Sequence, residues 1–130
     1  MSPARSTRRS KRGGAKADPV RAIVLGLPGV EESTSYGTPA FRVGKKLFAR
    51  FHQDGESLVV RADREAREAL LAAKPKSFFL TDHYLNYPYV LVRLGSVSRS
   101  DLRDVLVQAW RQCAPARLVA ALDGEPKSRR

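Results

Sequence analysis

The sequence predicts an α+β domain in which helices pack on one face of an antiparallel sheet. Strand-like segments follow one another across residues 41–62 with connections too short for parallel crossovers. An amphipathic stripe over residues 102–113 marks a long helix near the end of the chain. The order helix, meander, helix, strands, helices, without an internal repeat, places the helices together on one side of the sheet.

Ordered structure is expected to begin at Asp18-Pro19, where Asp suits an N-cap and Pro the first helical position. Val20, Ile23, Val24 and Leu27 then share a helical face, and Pro28-Gly29 ends the element. Glu31-Glu32 read as a solvated loop. Phe41–Val43 is the first strand, Gly44-Lys45 a turn and Lys46–His52 the second strand. Gln53-Asp54-Gly55 turns the chain into Ser57–Ala62. Asp63 caps a helix whose Ala66, Ala69, Leu70 and Ala73 share a face, and Pro75 stops it. Phe78–Thr81 is a short strand and Tyr89–Leu94 a strong one, separated by the polar, aromatic loop Asp82–Pro88. Ser98, with Asp101 three residues later, resembles a capping box for a helix carrying Leu102, Val105, Leu106, Ala109, Trp110 and Cys113 on one stripe. Pro115 opens a further short turn in which Leu118, Val119 and Leu122 can pack.

The 130 residues suit one domain plus some unstructured sequence, and an apolar share of 42% is enough for a modest core. Cys113 is the one cysteine, so no intramolecular disulfide forms and a reducing, cytoplasmic setting is expected. No apolar run approaches the roughly 20 residues that span a bilayer. The net charge of +11 is unevenly distributed. Residues 1–17 hold Arg5, Arg8, Arg9, Lys11, Arg12 and Lys16 and no acid, and the last four residues hold Lys127, Arg129 and Arg130. Residues 18–126 carry 15 basic and 13 acidic side chains, a balance of only +2. The expected organisation is therefore a disordered basic tail (1–17), a folded domain (18–123) and a flexible basic C-terminal tail (124–130).

No catalytic or metal constellation emerges. Two histidines, His52 and His83, and one cysteine give no zinc spacing. Gly26–Gly29 lacks the Gly-Lys-Ser/Thr that completes a phosphate loop, and it follows a helix rather than a strand. Asp82-His83 reads as loop capping, and Cys113 as a buried structural thiol. No enzyme activity, cofactor or metal is expected. Strict alternation puts Phe48, Arg50 and His52 on one sheet face and Leu47, Ala49 and Phe51 on the other. It also groups Val59 with Arg61, and Tyr89 and Leu91 with Arg93. Arg50, Arg61 and Arg93 would then share a face with aromatic rings, an arrangement suited to phosphate contacts and base stacking. The bland alternative is that the arginine stems simply cover a half-exposed sheet.

The run from Leu27 to Arg50, LPGVEESTSYGTPAFRVGKKLFAR, is similar to the opening signature of the MmcQ/YjbR family. Asp54 to Leu58, Thr81 to Tyr84 and Tyr87 to Arg93 resemble its middle; Trp110 with Ala114, Pro115 and Leu118 resembles its end. The resemblance covers about residues 20–120. It implies a frataxin-like antiparallel sheet backed by helices, and a DNA-binding role by analogy with a double-wing module of a phage transcription factor. The family often has a Trp near Pro88-Tyr89, absent here, and the basic tail is not part of the family domain.

Two functions follow as expectations. The first is non-enzymatic, mainly sequence-independent DNA binding through the tail cations and Arg50, Arg61 and Arg93. The alternative is a protein-interaction or small-ligand module at a polar–aromatic patch of Tyr36, Phe41, His83, Tyr84 and Asn86. No protein partner can be named from these residues, and no membrane association is expected.

Overall fold

The computed structural model describes residues 13–35 and 37–127. One six-stranded sheet is formed by β1 (Glu31–Ser35), β2 (Thr38–Val43), β3 (Lys46–Phe51), β4 (Ser57–Arg61), β5 (Phe78–Phe79) and β6 (Tyr89–Arg93). Its spatial order is β1-β2-β3-β4-β6-β5, and every pairing is antiparallel. The helices are α1 (Gly13–Val24), α2 (Arg64–Ala73), α3 (Arg99–Cys113) and α4 (Ala116–Lys127), with a 3-10 turn at Asp82–Tyr84. This is the α+β architecture expected, and its sheet is open rather than closed into a barrel.

The meander is built by local turn chemistry. Gly44 and Lys45 both take positive φ (60° and 70°), the requirement of a two-residue hairpin whose twist matches its strands. A side chain at Gly44 would also stand 3.1 Å from Pro115 Cδ, so the hairpin tip abuts the α3–α4 junction. At the next turn, the Asp54 carboxylate accepts from the Glu56 and Ser57 N–H groups and from the Ser57 hydroxyl.

The helix face carries the main core. Phe41, Ala49, Phe51, Leu58, Val60, Val90 and Val92 meet Val20 and Val24 of α1 and the stripe of α3. All six residues expected on that stripe, Leu102 to Cys113, are buried. The Ser98 side chain caps α3 by accepting from the Asp101 N–H at 3.0 Å. Trp110 is fully buried, and its indole N–H donates to the Pro28 carbonyl at 3.0 Å. That bond ties α3 to the end of the α1 turn. A large aromatic there removes its whole surface from water without stranding its polar atom.

Several expectations need correction. Glu31-Glu32 open an edge strand rather than a loop; β1 (EESTS) is almost wholly exposed and lacks the apolar signal that marks a strand. It forms because backbone pairing to β2 on one side suffices at a sheet edge. α1 starts at Gly13, so Asp18-Pro19 lies inside the helix and not at its cap, and helix extends into the expected tail. Ala15, Lys16 and Ala17 are good helix formers, and the turn before Pro19 forgoes one backbone bond. Beyond Pro115 there is a 12-residue helix, not a short turn, and it crosses the expected boundary at 123. On α2 the buried residue is Arg67, while Ala69 and Ala73 are exposed. The short strand ends at Phe79 rather than Thr81.

Strict alternation also fails within β3. Phe41 pairs with Ala49, but its neighbour Arg42 pairs with Leu47, so Phe48 is the extra residue of a bulge. Phe48 therefore joins the core with Ala49, and Leu47 changes to the Arg50 face.

Replacing Trp110 with Ala should cost about 3–5 kcal/mol, the usual range for truncating a buried large aromatic. Trp110→Phe should cost less, since it loses mainly the bond to Pro28. Urea unfolding of the two variants tests this: equal losses would mean that the indole's bulk contributes little.

Candidate functional site

The face away from α1 and α3 carries a second, smaller cluster in which Val59, Leu91 and Tyr84 are buried, with Phe79, Leu80 and Tyr89 packed around them. Tyr84 comes from the loop before β6, which folds back over the sheet. Between loop and sheet lies a groove of about 630 Å³. Its floor is Leu47, Arg50 and Val59, one end is His52 and Gln53, and its wall is Thr81, His83, Tyr84, Tyr87 and Tyr89. None of these is a carboxylate.

Arg50 is only 6% exposed. Its guanidinium donates to the Phe51 carbonyl at 3.2 Å and to the Tyr84 hydroxyl. The wall is a stack of edges and faces: His83 meets Tyr84 at 4.7 Å between ring centroids, and Tyr84 meets Tyr89 at 6.2 Å. Tyr87 stands 6.1 Å from His83 and is 54% exposed, an unusual exposure for an aromatic ring at a groove mouth. His52 accepts the Asp54 N–H on Nδ1 at 3.2 Å, and the same nitrogen lies 3.5 Å from the Asp54 carboxylate.

The loop itself is held from below by Arg67 of α2. Its Nη1 donates to the Tyr87 carbonyl at 2.8 Å and the Tyr84 carbonyl at 3.3 Å, and its Nη2 to the Leu85 carbonyl at 3.2 Å. No carboxylate lies within ion-pair distance of it among the described residues. Five donors in a rigid fork let one side chain satisfy several carbonyls of an irregular loop at once.

The structure separates the expected site residues. Register does put Arg50, Arg61 and Arg93 on one sheet face: Arg50 lies opposite Val59, Arg61 opposite Tyr89 and Arg93 opposite Ser57. Only Arg50 lines the groove. Arg61 donates from Nε to the Leu47 carbonyl at 3.3 Å, at the bulge, and lies 5.6 Å from the centre of the Tyr89 ring. Arg93 donates to the Pro75 and Lys76 carbonyls and stacks 4.2 Å above Phe79. Of the expected patch, His83 and Tyr84 meet in the groove. Phe41 does not join them: it is fully buried in the helix-side core, 6.1 Å from Phe51, because its parity in β2 points it inward. Asn86 lines a separate recess to which Tyr87 also contributes. Tyr36, Arg5, Arg8, Arg9, Lys11 and Arg12 lie outside the described residues, as does the side chain of Lys16.

Arg67, Tyr87 and His52 were not among the expected site residues, although alternation had placed His52 on the Arg50 face. A signal for Arg67 existed: it falls three and four residues before Leu70 and Leu71, on the inward stripe of α2. A cation there needs acceptors, and an irregular loop rich in unpaired carbonyls supplies them.

A YjbR family model matches residues 25–112 of the chain, a span holding every residue that lines the groove. Uncharacterized protein Rv2570 of Mycobacterium tuberculosis is 33% identical over 122 residues, covering 80% of this chain and 92% of the relative. Uncharacterized protein Mb2600 of Mycobacterium bovis matches to the same extent. Among solved structures, the crystal structure of Deinococcus radiodurans protein DR2400, with a DUF419 domain, is similar with a TM-score of 0.62 and 27% identity. That match covers 72% of this chain and 75% of the other.

Arg67→Met should release the loop, since each buried carbonyl left without a donor costs about 1–3 kcal/mol. Hydrogen exchange at the Tyr87 and Tyr89 amides should accelerate, and Arg67→Lys should not restore protection because an ammonium lacks the fork. Unchanged exchange in Arg67→Met would show that the loop is held elsewhere. The β3–β4 turn should also respond to acid. Burial acts to raise the Asp54 pKa, but hydrogen bonds from Glu56 and Ser57 and the neighbouring His52 outweigh it, so the carboxyl is held below its ordinary 3.8. A depressed folded value means that the turn's contribution is present above pH 3.8 and is lost as pH falls through the lower folded value. Asp54→Asn should remove that acid transition from an NMR titration of the Ser57 amide.

Proposed function

The chain belongs to the YjbR family, and from that premise we propose a non-enzymatic DNA-binding protein whose folded domain takes an unpaired strand. One base would stack in the sheet-face groove, and the basic N-terminal residues would add sequence-independent phosphate contacts. The observation that carries this reading is the Arg50 guanidinium at the floor of a groove walled by three tyrosines and a histidine and lined by no acid among the described residues. Aromatic faces accept any base, and a cation beside them favours the phosphate that comes with it. The groove suits a single nucleotide and not a whole duplex.

Duplex readout finds less support. All three sheet-face arginines donate to backbone carbonyls, and of the three only Arg50 lines the groove. On α3, Arg103 is accompanied by Asp101 and Asp104, and Arg111 is paired with Asp123. Neither sheet nor helix therefore offers a ready set of side chains for base edges in a major groove. A second reading, a pocket for a small anionic ring compound, rests on the groove volume, which lies within the usual range for such ligands. No helix among the described residues is long and apolar enough to cross a membrane. A cytoplasmic location belongs to the same proposal and is supported by the single, buried Cys113.

Fluorescence anisotropy with a single-stranded oligonucleotide, the matching duplex and a mononucleotide tests these readings. The single strand should bind more tightly than the duplex, and Tyr87→Ala should weaken it by about tenfold, as loss of one stacking platform implies. Deleting residues 1–12 should flatten the salt dependence by up to about 3.5 units of log K against log salt, at about 0.7 per cation engaged with a single strand. Equal binding of duplex and single strand, with Tyr87→Ala indistinguishable from the parent, would assign binding to the tail alone. Tight mononucleotide binding without gain from a longer strand would favour the small-ligand reading.

A further inference from the structure

Tyr87 lines two cavities. Beside the groove is a recess of about 280 Å³ that Tyr87 forms with Arg64, Arg67, Leu85, Asn86 and Pro88. It is the one residue that the two linings share among the described residues. Among the described residues the recess is lined by two cations and no carboxylate. Arg64 is exposed at its rim, while Asp63 and Glu65, its neighbours in sequence, line neither cavity.

Arg67 gives this recess its character. It is 6% exposed, and the acceptors of its guanidinium are neutral carbonyls of the loop. Its buried Nε has no hydrogen-bond partner among the described residues. Carbonyl dipoles stabilise a cation but leave its net charge in place, and a buried charge is ordinarily completed by an ion of opposite sign. A half-satisfied guanidinium beside an exposed one is a standing positive potential in a concave setting.

We propose that this recess is an anion subsite and that it takes the backbone phosphate of the nucleotide next to the one whose base stacks in the groove. Tyr87 divides the two positions, and Arg64 makes the direct contact. The inference rests on the groove reading above and adds a path to it: a strand crosses the loop at Tyr87, base on one side and neighbouring phosphate on the other. Recognition is then of two successive nucleotides, and the chemistry read is phosphodiester plus ring, with no demand on base identity.

Isothermal titration of the full chain with thymidine monophosphate and with a thymidine pentanucleotide, in parent, Arg64→Ala and Tyr87→Ala proteins, tests the path. Arg64 is exposed, so an unchanged melting temperature should accompany its loss. Arg64→Ala should leave the monophosphate within about twofold, but weaken the pentanucleotide about tenfold, the loss of one charge-assisted contact. Its salt slope should flatten by about 0.7. Tyr87→Ala should weaken both probes. If Arg64→Ala leaves the pentanucleotide unchanged while Tyr87→Ala weakens it, the subsite is wrong and the groove stands. Equal weakening of both probes by Arg64→Ala would place the nucleotide's own phosphate in the recess and overturn the two-nucleotide path. If neither variant alters either probe, groove and subsite fail together.

Discussion

Carbonyls from Tyr84, Leu85, Tyr87 and Tyr89 converge on one buried guanidinium, that of Arg67. Irregular backbone laid over a sheet carries polar groups that neither water nor a ladder can satisfy, and such a segment ordinarily stays at the surface. Here a single planar fork of donors lets the loop lie down. Once it does, Tyr84 reaches the sheet, its hydroxyl receives Arg50, and its ring covers Val59 and Leu91. Both the wall of the groove and the recess behind it exist because of that one side chain.

The two faces of the sheet are stabilised by different physics. On the helix side, apolar area dominates: α3 presents an unbroken stripe, and Trp110 adds a hydrogen bond to Pro28 that fixes how α1 ends against it. On the open side, apolar burial is limited to a small cluster, and cations hold the rest. Arg61 takes the Leu47 carbonyl at the bulge, Arg93 takes those of Pro75 and Lys76, and Arg67 takes the loop. Arginines that looked like a phosphate-binding row are in large part the fasteners of this face. Their charge is not cancelled by these contacts, because a carbonyl is a dipole and not an anion. The face therefore stays positive where its aromatic rings are exposed, a combination that suits an anionic ligand with a ring.

Membership of the YjbR family is consistent with this division, since the matched residues 25–112 include the groove, the Arg67 anchor and the α3 stripe as far as Trp110 but not the basic residues of the N-terminus. Basicity and site thus belong to different parts of the chain. The tail can raise affinity for any polyanion. What the domain adds is shape: one ring-sized groove, a dividing tyrosine and a second cationic hollow.

The amino-acid sequence by itself determined whatever depends on local rules. Positive φ at Gly44-Lys45 requires a tight hairpin, Ser98 and Asp63 cap helices through their own side chains, and the spacing from Leu102 to Cys113 defines a buried face. The meander, the α+β class and the family likeness were legible for that reason. β1 was not, because an edge strand of Glu, Ser and Thr is held by its neighbour's backbone and carries no apolar signal. Neither was the parity of β3, since one bulged residue at Phe48 exchanges the faces of Leu47 and Phe48, and alternation cannot announce where it breaks. The site divides along the same line. His83, Tyr84 and Arg50 could be named from residue type, but their meeting depends on a loop 17 to 20 residues away from the arginine that holds it. Tertiary structure alone decided which carbonyls Arg67 meets, that Arg61 and Arg93 turn to backbone carbonyls and that Tyr87 lines two cavities. These are long-range choices, made by whichever fold leaves the fewest buried polar groups without a partner, and no periodicity within one segment records them.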